Sequence, residues 1–197
     1  MRHCESLGFA FAMTFAVLAL GCGRAKTYLG DGLAQGAPHP LVGRAAPPLS
    51  AQALDGGEIS LFPARPTESR VTIVHFWATW SDASKQTLPK LAQIWNKYRA
   101  SGLDVLAVSI DDVAANVPDF ARTYGVKYPV AWDGNKSVVR RWLAREVPAT
   151  FVVDAHGVVR AAFLAYDDGF ESEVEIDVRI LTAERDAAKQ PRADVTK

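Results

Sequence analysis

Two serine hydroxyls, Ser81 and Ser84, are separated by two residues in the stretch WSDAS and are candidates for nucleophilic chemistry. An activated serine needs a base within hydrogen-bond reach, usually a histidine oriented by a carboxylate. His75 lies in a β-branched and aromatic run that predicts a buried strand, His156 lies in a predicted hairpin turn, and His39 lies in a Gly- and Pro-rich stretch. The chain has no Gly-x-Ser-x-Gly motif. The pattern therefore favours a helix-capping role for Ser81 over serine catalysis.

Acidic and basic side chains offer weaker candidates for a functional site. Asp111 and Asp112 follow a predicted strand, a position where α/β proteins often place ligand groups, so they are either metal ligands or solvated loop residues. Arg140, Arg141 and Arg145 predict a solvated basic face of a helix. The chain has 22 basic and 22 acidic residues, so no excess charge indicates a nucleic-acid partner. No metal site and no cofactor is predicted.

The cysteines limit the chemistry further. There are two, Cys4 and Cys22, and none follows them. A disulfide framework and a cysteine-based zinc site are therefore excluded for the rest of the chain.

The first residues predict a secretory signal. Basic residues precede a 14-residue apolar run, residues 7–20, which is too short to cross a bilayer comfortably. The run ends in ALGC, which resembles a bacterial lipobox and implies cleavage before Cys22 and acylation of its thiol. An ordinary cleaved signal and an uncleaved anchor are the alternatives. Residues 1–21 are thus predicted to be a signal peptide, and residues 22–46, rich in Gly, Ala and Pro, a lipidated cysteine with a flexible tether.

The remaining sequence predicts an α/β domain over residues 47–187, followed by a polar tail, 188–197. The turn Asp55-Gly56-Gly57 and the residues 58–61 that follow it predict a short hairpin or an edge strand. Strands are predicted at 71–77, 103–110, 128–133, 150–154 and 158–164, and the first two of them are predicted to be buried. A first helix is predicted after Ser81, with an apolar face formed by Leu88, Leu91, Trp95 and Tyr98. Pro89 predicts a kink in this helix. Further helices are predicted at 118–124, at 137–144 and around Val174, Val178 and Leu181.

Four segments resemble the TlpA/ResA-like thioredoxin family. VHFWATWSDASKQTLPKL is similar to its active-site segment, a strand, then F-W-A-T-W-C-x-x-C, then a helix with a proline. VPATFVVDAHGVV is similar to its second signature, a cis-proline followed by a strand and a D-x-x-G turn, while LDVLAVSIDD and YGVKYPVAWD match the elements between. The resemblance covers residues 47–185 and implies a thioredoxin-like α/β fold, with a central mixed β-sheet flanked by helices on both faces.

The chain departs from that family at its reactive centre, where Ser81 and Ser84 occupy the positions of the two cysteines. Thiol–disulfide exchange needs an attacking thiolate and a second thiol to resolve the mixed disulfide. A serine hydroxyl supplies neither, so no catalytic residue is predicted here. Peroxiredoxin-like peroxidase activity and Sco-like copper transfer are excluded by the same lack of cysteines.

The resemblance leaves a binding groove as the remaining use of the site. It implies a cis bond between Val147 and Pro148, facing the turn from Trp80 to Ser84, with the backbone of Val147 free to pair with an extended peptide. Trp80 would supply apolar contact. A relic groove, in which Pro148 only holds its loop, is the alternative.

The sequence therefore predicts an extracytoplasmic lipoprotein, anchored to a bacterial membrane, that lacks thiol redox activity and binds an envelope polypeptide non-covalently. The alternatives are a TlpA/ResA-like thiol–disulfide oxidoreductase in envelope redox homeostasis, acting through an unlipidated Cys22, and a purely structural domain.

Overall fold

The computed structural model describes residues 26–28, 39–62 and 70–190. The predicted signal peptide, Cys22 and residues 191–197 of the predicted tail lie outside these ranges. The described helices are α1 (Asp82–Tyr98), α2 (Val117–Thr123), α3 (Ser137–Arg141) and α4 (Phe170–Lys189). The described strands are β1 (Lys26–Tyr28), β2 (Leu49–Ala53), β3 (Glu58–Leu61), β4 (Val71–Trp77), β5 (Leu103–Ser109), β6 (Val130–Trp132), β7 (Ala149–Val153) and β8 (Val159–Phe163).

The strands form one mixed sheet in the order β1-β8-β7-β4-β5-β6-β2-β3. β4 pairs in parallel with β5 and antiparallel with β7, and β5 pairs in parallel with β6. The β2–β3 hairpin adds antiparallel strands at one edge, and β1 runs parallel to β8 at the other. The predicted α/β fold with a central mixed sheet is confirmed.

Both faces of the sheet are covered, as the mainly apolar sequences of its central strands require. Along β4, alternate residues serve opposite faces because successive side chains of a strand point in opposite directions. Val71, Ile73 and Trp77 belong to the cluster under α1, α2 and α4, while Val74 and Phe76 belong to the cluster under α3 and the N-terminal segment. Every residue of β4 is buried.

The predicted tether contributes to the folded unit. Residues 39–46 pack against the sheet through Leu41, Val42 and Ala46, and the Gly43 N–H donates to the Val159 carbonyl at 2.7 Å. β1 also lies within residues 22–46. The predicted boundary at residue 47 is therefore too late. The segment was predicted to be flexible because it is rich in Gly, Ala and Pro and its apolar residues have no regular spacing. Hydrogen bonds between its backbone and the sheet do not require such a spacing.

Three further elements differ from the prediction in where they begin or end. α3 ends at Arg141, short of the predicted residue 144, and Leu143 adopts a positive φ of 54° that a helix cannot contain. β6 is limited to Val130–Trp132, and Pro129, which has no N–H, precedes it. α4 reaches Lys189, two residues beyond the predicted domain end.

Across the described ranges, no helix combines the length and apolar character needed to span a bilayer.

Candidate functional site

Ser81 lies where β4 turns into α1, and its hydroxyl makes two hydrogen bonds. Ser81 has extended backbone angles and caps α1, its Oγ accepting from the Ser84 N–H at 3.3 Å. The same Oγ donates to the Val147 carbonyl at 3.3 Å. The hydroxyl proton is thus directed at a carbonyl and not at a base. No described histidine contacts Ser81, an arrangement that gives no support to serine catalysis.

Ser84 lies one helical turn further along and is fully buried. Its Oγ accepts from the Ala78 N–H at 3.4 Å, which ties the first turn of α1 back to the end of β4. Asp82, between the serines, is exposed and pairs with Lys85 at 2.5 Å. The hydrogen bond and the charge of Lys85 lower the pKa of the Asp82 carboxyl. The turn is thus held by serine hydroxyls.

The Val147–Pro148 segment faces this turn, and its peptide bond is cis. The Val147 carbonyl accepts the Ser81 hydroxyl, while the Val147 N–H has no hydrogen-bond partner within the described residues. Pro148 is buried and Val147 is half-buried. Trp80 stands beside the serines with 65% of its surface exposed. The predicted site residues therefore meet in one place, which combines a backbone N–H that has no partner in the described part of the chain with an exposed aromatic ring.

Asp111 holds the other side of the turn, a role that the sequence did not indicate. It is buried, contrary to the solvated alternative. Its carboxylate accepts the Thr79 N–H at 3.1 and 3.2 Å, the Thr79 hydroxyl at 2.6 Å and the Ser109 hydroxyl at 2.7 Å. Asp112 is exposed and pairs instead with Lys136 at 2.9 Å. The described residues contain no group of three or more metal-ligating side chains, so these acids form no visible metal site.

Replacing Asp111 by asparagine is expected to destabilise the protein by about 1–3 kcal/mol, because a buried carboxylate with three charge-assisted donors becomes a neutral amide whose NH₂ cannot accept. Chemical denaturation gives this value, and hydrogen exchange at the Thr79 amide should accelerate. Asp112→Asn is the matched control, since it removes an adjacent but exposed carboxylate and should change the free energy of unfolding little. Equal effects of the two variants would contradict the assigned role of Asp111.

A buried polar chain lies beneath the turn on the α1 side of the sheet. His75, fully buried in β4, contacts Thr150 Oγ1 through Nδ1 at 2.8 Å and Thr87 Oγ1 through Nε2 at 3.2 Å. Thr87 in turn donates to the Ser84 carbonyl at 3.2 Å. Desolvation lowers the pKa of His75 to about 3. His75 is therefore neutral at physiological pH and joins β7, β4 and α1 under Ser84, as its predicted place in the core required.

Arg140, Arg141 and Arg145 are exposed. Arg140 and Arg141 donate to the carbonyls of Asn135 and Ser137 on their own segment. The three arginines are solvated as predicted, but Arg145 lies beyond the end of α3 at Arg141, so they do not share one helix face.

These features define a class: a thioredoxin-like α/β domain in which the turn after the central strand β4 carries serines opposite a cis-proline. The AhpC/TSA family matches residues 42–162, more than half of the chain. The chain belongs to this family.

Its relatives include thiol–disulfide oxidoreductases. ResA of Bacillus cereus is 24% identical over 143 residues, which are 73% of this chain and 81% of that protein. ResA of Geobacillus thermodenitrificans is 28% identical over 119 residues, 60% of this chain and 67% of that protein. The family is therefore thioredoxin-like, with ResA-like homologues.

Solved structures agree on the fold. A thiol:disulfide interchange protein DsbE from Chlorobium tepidum superposes with a TM-score of 0.66 at 22% identity, covering 74% of this chain and 99% of that one. A protein disulfide isomerase from Bacteroides thetaiotaomicron gives 0.65 at 18% identity, covering 75% and 93%. At such identities the similarity extends to the fold alone.

Proposed function

We propose that this chain is a lipid-anchored, extracytoplasmic thioredoxin-like protein that lacks thiol redox activity and binds an extended polypeptide without forming a covalent bond. The proposal rests above all on one observation: the two hydroxyls at the reactive positions serve as hydrogen-bonding groups of the turn. Since no cysteine follows Cys22, the folded domain has no sulfur to exchange.

The ligand that fits is a segment of polypeptide in extended conformation. Its backbone carbonyl would accept the Val147 N–H, which has no partner among the described residues, and an apolar side chain would rest on Trp80. The Ser81 hydroxyl already occupies the Val147 carbonyl. Pairing at this residue would therefore use one backbone bond, which favours weak, reversible capture.

A direct test of the missing redox activity uses the mature chain with Cys22 acylated. We expect it to reduce insulin disulfides no faster than buffer containing the same reductant, because an alcohol neither attacks nor resolves a disulfide. Reduction above that background would contradict the proposal.

The binding part of the proposal is tested by the exposed ring of Trp80. Trp80→Ala should weaken cross-linking of envelope polypeptides at least several-fold. Contacts between an apolar side chain and an aromatic ring of this kind carry much of the binding energy of protein interfaces. Val113→Ala is the matched control because Val113 is equally exposed, at 65%. The readout is photo-cross-linking from position 147 in the intact envelope. Capture that is unaffected by Trp80→Ala, or equally reduced by both variants, would argue for an unused groove.

The names of the relatives favour a second candidate, a thiol–disulfide oxidoreductase. In this chain such activity would require Cys22 to remain a free thiol. Mass spectrometry of the mature N-terminus separates the two candidates, because an acylated Cys22 leaves no nucleophilic sulfur.

A further inference from the structure

The direction of β1 fixes which end of the sheet the N-terminal chain enters. Lys26 lies opposite Ala161 in the parallel β1–β8 pair. Ala161 pairs with Val152, and Val152 pairs with Ile73 of β4. β8 is antiparallel to β7 and β7 to β4, so β1 runs in the same direction as β4. The amino end of the sheet is the end at which β4 begins. The carboxyl end is the end at which β4 leads into the serine turn, residues 80–84.

The serine turn is far from the point where β1 begins. Lys26 is level with Ile73, and Trp77 lies four residues further along β4, about 13 Å at the usual rise per residue. β4 is the third strand from β1, which adds about 14 Å sideways at normal strand spacing. The end of β4 is thus about 20 Å from Lys26, and the turn from Trp80 to Ser84 projects beyond it.

The link from the predicted lipid anchor to β1 is short. Cys22 precedes Lys26 by four residues, and a fully extended chain of that length spans at most about 14 Å. A free tether of some twenty residues would let the domain tumble above a bilayer, whereas this link holds the start of β1 close to it.

We propose that acylated Cys22 holds the domain against the bilayer by the β1 corner of its amino end, so that the serine turn faces away from the membrane and meets polypeptide segments in the aqueous compartment. This inference rests on the acylation of Cys22 in the proposed function. It narrows the ligand class, because segments embedded in the bilayer or lying flat on it would not reach Trp80. The partner is therefore a water-exposed stretch of an extracytoplasmic protein.

The structure offers one exposed labelling position at each end of the sheet. His156, in the β7–β8 turn, lies at the amino end and is exposed. Val113, two residues after the Asp111 that binds Thr79, lies at the carboxyl end and is 65% exposed. A cysteine introduced at either position would be the only free thiol of the mature acylated chain.

The experiment uses the acylated full-length mature chain in vesicles of phosphatidylethanolamine and phosphatidylglycerol that carry a headgroup-linked nitroxide quencher. Fluorophores on His156→Cys and Val113→Cys variants are compared. We expect quenching at position 156 to exceed that at position 113 at least threefold. Equal quenching, or stronger quenching at 113, would overturn the orientation while leaving the anchor intact. Failure of the chain to bind vesicles at all would overturn both the anchor and the orientation.

A length control tests the short link itself. Inserting about fifteen Gly and Ser residues between Cys22 and Lys26 lets the domain rotate freely, so the difference between the two positions should fall to nearly nothing. A difference that survives the insertion would show that something other than the link orients the domain, and would overturn the inference.

Discussion

The Ser81→Cys, Ser84→Cys double variant is expected to acquire thiol–disulfide exchange activity, rising from background to an easily measured rate of insulin reduction. The first cysteine would occupy the N-cap of α1, where Ser81 now accepts the Ser84 N–H. A helix N-terminus and its backbone donors lower the pKa of a thiol, which raises the fraction of reactive thiolate. The second would replace the buried Ser84, one turn away, and resolve the mixed disulfide.

The controls for this variant separate a dithiol mechanism from incidental thiol chemistry. Cys22 is replaced by serine throughout, so that no other thiol contributes. Ser81→Cys alone should form mixed disulfides without turnover, and Ser84→Cys alone should remain unreactive because it is buried. A folded double variant that catalyses no exchange would mean that the serines do not stand at the family's reactive positions.

The second large effect concerns His75 and the dependence of stability on pH. The pKa of its imidazole is about 3 in the folded chain and about 6.5 when the chain unfolds. Between these values the unfolded chain binds one more proton, so the free energy of unfolding falls as the pH falls from about 6.5 towards 3 and is unaffected above 7. The slope approaches about 1.4 kcal/mol per pH unit, which gives about 2.5 kcal/mol between pH 6 and pH 4.

Denaturant titrations at pH 7, 6, 5 and 4 measure this slope. His75→Asn should be less stable at pH 7, because it disturbs the contacts with Thr150 and Thr87, but its stability should fall less steeply with decreasing pH. Burial also lowers the pKa of His39, so the informative quantity is the difference in slope between the variant and the natural chain. His156→Asn, which removes an exposed imidazole, is the matched control. An unaltered slope in His75→Asn would contradict the buried neutral imidazole.

By itself, the sequence determined the α/β class and the central strands, because mainly apolar runs such as residues 71–77 are typical of strands buried on both faces. It also located the serine turn, since Ser81 supplies the cap that the helix after β4 needs. The absence of cysteine after Cys22 is likewise a property of the sequence alone.

Only the tertiary structure decided how the turn is supported. Asp111 lies 32 residues from Thr79, and nothing local distinguishes it from the exposed Asp112 beside it. The pairing of β1 was equally hidden, because three residues of an edge strand acquire their place from the backbone of β8 and carry no periodic signal of their own. Contacts between distant parts of the chain depend on how the strands pair in the sheet. Local sequence does not determine that pairing, so it does not predict these contacts.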